Sequence, residues 1–208
     1  ITFSIFDFNP STIEAMAEVP EICPSLHLPV QSASNRQLKL MKRGYTISEY
    51  RDLVNRLREA IPNISLTTDI IVGFCSETDD EFMETYDLMK EIRYDSAFMF
   101  KYSERSGTAA HREIPDDVPE SMKTERLQAI IKLQEKISRE VNENAVGNTF
   151  EVLVEGPSKR KSQDGKTRYY GRSPQGRTIV FPQQAAINST VNIRIDSVTS
   201  HTLYGTRI

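Results

Sequence analysis

The sequence is poor in cysteine and has no long apolar run, and each shortage narrows what it can be. Its 208 residues hold two cysteines, Cys23 and Cys75. One pair cannot staple a chain of this size into a disulfide scaffold, so a reducing compartment, the cytoplasm, is expected. Two thiols also cannot hold an iron–sulfur cluster unaided, because such clusters take four ligands, mostly thiolates. The longest apolar stretches are as short as Ile70-Ile71-Val72, so no membrane span is expected. The opening Ile1-Thr2-Phe3-Ser4-Ile5 lacks the basic region and cleavage site of a secretory signal. It begins on an alternating apolar stretch rather than on Met, and the chain is expected to be cut from within a longer protein. No internal repeat is visible.

What is present is ordinary for a globular protein, with 38% hydrophobic and 26% charged residues. The net charge of −3 hides an asymmetry. Residues 146–208 carry nine Lys and Arg against four Asp and Glu, a net of +5. Of the 26 basic and 29 acidic residues in all, that leaves 17 and 25 in the first 145, a net of −8. Two modules are implied, the second suited to a polyanion.

The first 112 residues alternate strand and helix signals. Thr2–Phe6 reads as a strand, and Pro10-Ser11 opens a helix that Pro20 ends. Leu26–Val30 reads as a strand interrupted by Pro29. Asn35 is placed to cap a helix reaching Arg43, with Gly44 as its terminating glycine. Thr46 and Glu49 form a capping box for a helix that Pro62 stops, and Thr78 and Glu81 form another. Ser65–Gly73, apolar without alternation at Ile70-Ile71-Val72, reads as a strand covered on both faces. Ser96–Tyr102 is a fourth strand. Strand–helix repetition at this spacing predicts parallel strands with right-handed crossovers, either half of a large α/β barrel or one open sheet. Residues 113–145 read as a Pro- and Asp-rich linker followed by a long helix from Pro119 to Asn144. Residues 146–208 hold five short β-rich runs (149–155, 167–172, 177–181, 190–198 and 202–207), expected to form a small all-β barrel.

In such sheets ligands bind beyond the C-terminal strand ends. Three polar loops follow the strands there: Gln31-Ser32-Ala33-Ser34-Asn35-Arg36, Gly73-Phe74-Cys75-Ser76-Glu77 and Tyr102-Ser103-Glu104-Arg105-Ser106-Gly107-Thr108. Each alone reads as an ordinary loop, but together on one rim they indicate a site. Asp69, in an apolar strand, needs a partner or a ligand. Cys75 reads as inert, and Cys23 with His27 as structural rather than a metal pair. In the tail, Lys159, Arg160, Lys161, Lys166, Arg168, Arg172 and Arg177 fall within 19 residues, interleaved with Tyr169, Tyr170 and Phe181. Basic residues among aromatic faces suit single-stranded RNA. The plainer reading of Lys159–Lys161 is a solvated hairpin loop.

These stretches carry a resemblance that covers essentially the whole chain. His27-Leu28-Pro29-Val30-Gln31-Ser32-Ala33-Ser34-Asn35, Leu40-Met41-Lys42-Arg43-Gly44-Tyr45-Thr46, Thr68-Asp69-Ile70-Ile71-Val72-Gly73-Phe74 and Phe100-Lys101-Tyr102-Ser103-Glu104-Arg105-Ser106-Gly107-Thr108 resemble successive motifs of the radical-SAM methylthiotransferases. Val154-Glu155-Gly156-Pro157-Ser158-Lys159, Gly171-Arg172 and Val180-Phe181-Pro182 resemble that family's TRAM domain. Val30-Gln31-Ser32 and Ser96-Ala97-Phe98 fit the MiaB branch better than the branches acting on threonylcarbamoyladenosine or on a ribosomal protein. The chain departs from the family at Ala33, usually Gly, and at Cys75-Ser76, usually Pro-Gly. The cysteines of the radical-SAM motif and of the auxiliary cluster are absent, and in the family they lie upstream.

The resemblance implies an α/β fold, half of a radical-SAM TIM-like barrel over 1–112, joined by 113–145 to an OB-like TRAM barrel over 146–208. It implies a transferase using S-adenosylmethionine and, in the full-length enzyme, two 4Fe–4S clusters. The methylthio group would go to C2 of N6-isopentenyladenosine beside the anticodon. The partner would be the anticodon arm of tRNA, the enzyme a monomer, and the fragment alone inactive. No residue pattern identifies the sulfur donor. Gln31 and Ser32 are expected to bond the ribose or amino-acid part of S-adenosylmethionine. Arg43 is expected either to pair with its carboxylate or to act as a helix-end cation. Ile71, Val72 and Phe74 would pack on adenine, with Asp69 a further candidate. Tyr102, Ser103 and Arg105 would face the substrate base, and Lys159, Arg160, Lys161, Arg168, Arg172 and Arg177 the RNA. The competing class is a nucleic-acid-binding module on an inert α/β scaffold.

Overall fold

A computed structural model describes residues 5–159, 165 and 167–208. Capping fixes where its helices begin. Asn9 caps α1 (Pro10–Glu18) by accepting the Thr12 N–H. The two predicted capping boxes form at Thr46 for α3 (Ile47–Ala60) and at Thr78 for α4 (Asp79–Ile92). Between them, α2 (Asn35–Leu40) departs from expectation at both ends. Its cap is Ser34, while the Asn35 side chain accepts the first N–H of α3, from Ile47, at 2.8 Å. The helix stops at Leu40, and the left-handed residue is Lys42 (φ 56°), not Gly44.

Three parallel strands, β1 (Ser25–His27), β2 (Ser65–Val72) and β3 (Ser96–Lys101), lie in the order β1-β2-β3. The first expected strand, Thr2–Phe6, has no counterpart among the described residues. Ile5–Asp7 is a 3-10 turn and Thr2–Ser4 lie outside the described residues. The second expected strand is also shorter, because Pro29 has no N–H to continue the ladder. Side chains take over there. Tyr50 donates to the Leu28 carbonyl at 2.8 Å, Tyr45 to those of Pro29 and Val30 at 3.1 Å, and Thr68 accepts the Val30 N–H at 3.0 Å. Gln31 then rejoins β2 as a single bridge to Ile70.

On β2, Leu66, Thr68, Ile70 and Val72 are buried against the helices, while Thr67, Asp69 and Ile71 are half-buried on the other face. The expectation of burial on both faces is thus half met: one face of the sheet is open. The parallel register sets Phe98 beside Asp69 and Phe100 beside Ile71. Phe98 and Phe100 are therefore 57% and 54% exposed on that open face.

After the short α5 (Ala109–Glu113), α6 (Glu120–Glu143) packs on β3, α4 and β2 and reaches the second module. That module is a closed barrel in the order β4-β5-β6-β8-β7: β4 (Thr149–Pro157), β5 (Tyr169–Arg172), β6 (Thr178–Phe181), β7 (Thr190–Val198) and β8 (Leu203–Arg207). The five expected runs match its five strands. Its own core holds Val152, Val154, Ile179, Phe181, Ile193, Ile195 and Leu203. Closure brings strands so near that a Cβ on Gly171 or Gly205 would lie 2.1 or 2.2 Å from a carbonyl oxygen. Asn142 on α6 ties the modules together by donating to the Thr199 and Ser200 carbonyls. Among the described residues no helix is long and apolar enough to cross a membrane.

Candidate functional site

The three polar loops and the turn after α2 converge at the C-terminal end of the sheet around a cleft of about 670 Å³. Gln31, Arg43, Asp69, Ile71 and Phe74 line it, as do Tyr102, Ser103 and Arg105. The residues expected to hold a cofactor and those expected to face a substrate thus share one cavity. Ser32 does not reach it. It is buried, with its hydroxyl 3.5 Å from that of Thr85 and accepting the Ser34 N–H. Val72 also faces the helices, not the cleft.

Leu40, Met41, Lys42, Phe100, Lys101 and the start of α5 complete the lining and were not singled out from sequence. For Phe100 a signal existed: in a parallel pair, residues in register with Asp69 and Ile71 must share their face. Gln31 has φ 68°, a left-handed conformation rarely adopted by a side chain of this size, and its backbone bonds β2 on both sides. Its amide group has no partner among the described residues. The same holds for the guanidinium groups of Arg43 and Arg105. Asp69 finds its partner in His27, at 3.3 Å, rather than in a Lys or Arg. His27 also contacts Thr67 at 2.9 Å and packs edge-on against Phe98.

Behind the rim, Tyr102 stacks edge-on with Phe74 at 4.8 Å, with the Lys123 ammonium 5.3 Å from its ring centre. Burial, followed by the Cys75 thiol, pushes the Tyr102 hydroxyl up to about 12. Burial also pushes the Cys75 thiol up, so it stays protonated behind the loop. Ser76, where the family usually has Gly, has φ 56°, a conformation that suits Gly. Its hydroxyl and carbonyl accept from Arg36 at 3.0 and 2.6 Å.

Arg36 belongs to a cluster centred on Glu81. That carboxylate accepts from Ser34, Arg36, Gln37 and the Thr78 N–H at 2.7–3.2 Å. Burial alone would raise Glu81, but Arg36 and the other donors outweigh it and hold the group at about 2. A carboxyl held below its unfolded value stabilises the fold above that value and loses the contribution as pH falls. From an ordinary 4.5 down to about 2, the parent should lose on the order of 2 kcal/mol more than Glu81→Gln, after allowance for screening. Urea unfolding across that range reads the difference, and parallel pH profiles would refute it.

In the barrel, the candidate RNA residues meet different fates. Arg160 and Lys161, with Lys166, lie outside the described residues. Lys159 is exposed. Arg172 is bound to Glu155 at 3.0 Å. Arg177 turns back to the first module, reaching Asp95 at 3.1 Å, so it serves as an inter-module tie. Arg168 has no ion pair among the described residues and lies over the Tyr204 ring.

Comparison with known proteins completes this picture. Residues 1–89 match the radical SAM superfamily and residues 143–208 the TRAM domain. A tRNA-2-methylthio-N(6)-dimethylallyladenosine synthase of Phocaeicola vulgatus is 46% identical over 203 residues, 97% of this chain and 44% of the relative. The synthase of that name from Chlorobium limicola is 48% identical over 200 residues, 96% of this chain and 44% of the relative.

The chain belongs to the radical-SAM methylthiotransferase family.

It spans less than half the length of the family members it matches. Coproporphyrinogen III oxidase from Escherichia coli, described as a radical SAM enzyme, superposes with a TM-score of 0.56 at 16% identity. That alignment covers all of this chain and 50% of the oxidase, and the likeness is one of fold. In this chain the radical SAM match ends within α4, so β3 and the cleft residues from Phe100 onward lie beyond it. The TRAM match begins at the last residue of α6. The thiols here do not fit a cluster: Cys23 is exposed, Cys75 is buried, and no group of three metal-binding side chains converges among the described residues.

Proposed function

We propose that this chain is part of a tRNA methylthiotransferase that adds a methylthio group to C2 of N6-isopentenyladenosine beside the anticodon. On this reading β1–β3 are part of a radical-SAM barrel within residues 1–112, residues 113–145 join the modules, and residues 146–208 bind the anticodon arm. The two 4Fe–4S clusters would be held elsewhere in the whole protein, a cytoplasmic monomer. The observation that carries the reading is the cleft itself. Its apolar floor of Ile71, Phe74 and Phe100 lies beside the guanidinium groups of Arg43 and Arg105 and the amide of Gln31, none of which has a partner among the described residues. An adenosine joined to a charged amino acid needs such a lining: a flat apolar bed, a cation for the carboxylate and an amide for ribose or amine.

S-adenosylmethionine supplies radical and methyl-group chemistry when bound. The chain's own side chains do simpler things. Arg43 pairs with the carboxylate, Gln31 bonds the ribose or amino group, and Ile71 and Phe74 exclude water from the adenine. Tyr102, Ser103 and Arg105 border the space left for the substrate base, while the His27–Asp69 pair keeps a polar group on the inner wall.

Arg43 decides between this reading and a plain helix-end cation. In an intact methylthiotransferase carrying this sequence, Arg43→Ala should weaken S-adenosylmethionine binding roughly tenfold to a hundredfold, the loss of about 1.5–3 kcal/mol for a charge-assisted bond. Titration calorimetry on the reconstituted enzyme measures it. An unchanged dissociation constant would leave Arg43 only its helix-end role.

A further inference from the structure

We infer that the outer face of the barrel carries a stacking subsite for a single unpaired nucleobase, built from Tyr204 and Arg168 over Val180. The inference rests on the reading of the barrel as an RNA-binding module and gives that module a specific contact.

Strand alternation sets the site up. On β8, Leu203 points into the barrel core, so Tyr204 points out. Tyr204 stands beside Val180 in the parallel pairing with β6 and beside Ser197 in the antiparallel pairing with β7. A bulge between Ile195 and Ser197 breaks the regular register there. Bulges re-aim side chains at sites of this kind. Arg168, just ahead of β5, reaches over and sets its guanidinium carbon 5.8 Å from the Tyr204 ring centre. These residues, with Pro182 and Thr206, enclose a groove of about 350 Å³.

Three properties of the groove select its occupant. Its floor includes an apolar side chain, Val180, which faces outward yet is only 9% exposed. Its walls are a half-buried aromatic ring and a planar cation, the two surfaces on which bases stack. Its arginine has no ion pair among the described residues, whereas Arg172, Arg177 and Arg194 each face a carboxylate. A phosphate alone would require neither the ring nor Val180. An aromatic side chain of a protein partner would fit the walls but gains nothing from the module's charge of +5. A base attached to its own phosphates uses all three.

The test is a short single-stranded RNA with one 2-aminopurine, whose emission is quenched on stacking. The chain contains no Trp, so that signal is read against tyrosine alone. With the full chain at low salt, binding should quench the probe for the parent and for Tyr204→Phe. Tyr204→Thr should lose the quench and bind roughly tenfold more weakly, within the range set by one stacked base. Tyr204 faces outward, so circular dichroism should show both variants folded. The subsite is refuted if Tyr204→Thr quenches and binds like the parent, or if an abasic oligomer binds the parent as tightly as the intact one. If the parent binds no RNA at any salt concentration, the RNA-binding reading of the barrel falls and takes the subsite with it. If it binds with a steep salt dependence that Tyr204 does not alter, only the subsite is lost.

Discussion

Replacing Arg126 by Met should lower the stability of the chain by about 3–5 kcal/mol at neutral pH, the cost of leaving a buried charge without its partner. Arg126 on α6 is 4% exposed. It donates to the Glu77 carboxylate at 2.8 Å and to the Glu77 carbonyl at 3.2 Å, and its second branch reaches Asp79 at 2.6 Å. The Glu77 side chain is 1% exposed. Burial already raises Glu77, with the Gly73 N–H and Arg126 acting against it. With Arg126 gone, nothing charged offsets that burial. The cost should therefore shrink as pH falls and Glu77 takes up a proton, and grow as pH rises through its raised value. Adding Glu77→Gln should restore much of the loss. Urea denaturation of the parent, both single variants and the double variant completes the cycle. A loss unaffected by pH and by Glu77→Gln would mean that Arg126 matters only for its packing against Phe82.

How much of this was legible in the sequence follows from where each interaction runs. Signals within one turn of chain were read correctly: both capping boxes, the stop at Pro62 and the five runs of the barrel. Local patterns failed where a distant group took over a local role. Asn35 looked like the cap of its own helix, but its side chain serves the first N–H of α3, and Ser34 caps instead. Gly44 looked like the terminating glycine, yet the left-handed residue is Lys42. The interruption at Pro29 was legible, but not that the Leu28 carbonyl ahead of it is taken by hydroxyl groups from α3 and β2.

The candidate site divides in the same way. The loops that carry the motifs meet at one cleft, because rim position follows from strand order. The motifs did not show which side chains face it. Ser32 sits beside Gln31 in the motif, but the left-handed turn at Gln31 precedes a Ser32 directed toward Thr85. Arg177 sits in the basic cluster of the tail, but its partner Asp95 is 82 residues away, a distance no local charge count detects. Lys123 escaped notice because a single basic residue in an amphipathic helix reads as solvated, whereas here it is 3% exposed and held by Asp116.

Lys123 also explains why Gly73 should not tolerate even a methyl group. Gly73 follows β2 at the rim with φ +68°, and a Cβ there would lie 2.4 Å from Lys123 Cγ. That atom is close to the backbone of α6, so it cannot swing aside as a lysine tip would. Gly73→Ala therefore meets two costs, about 1–2 kcal/mol for the left-handed backbone and roughly 1–3 kcal/mol for overpacking. The expected total, about 2–5 kcal/mol, is measurable by urea denaturation. The damage should also reach the cleft, because Lys123 lies over Tyr102 and the Gly73 N–H donates to Glu77 at 2.7 Å. Lys123→Ala removes the Cγ that would be struck. The double variant should thus lose less stability than the two single losses added together, the surplus being the steric part. Strict additivity would place the whole cost in the backbone conformation and free Lys123 from any part in shaping the rim.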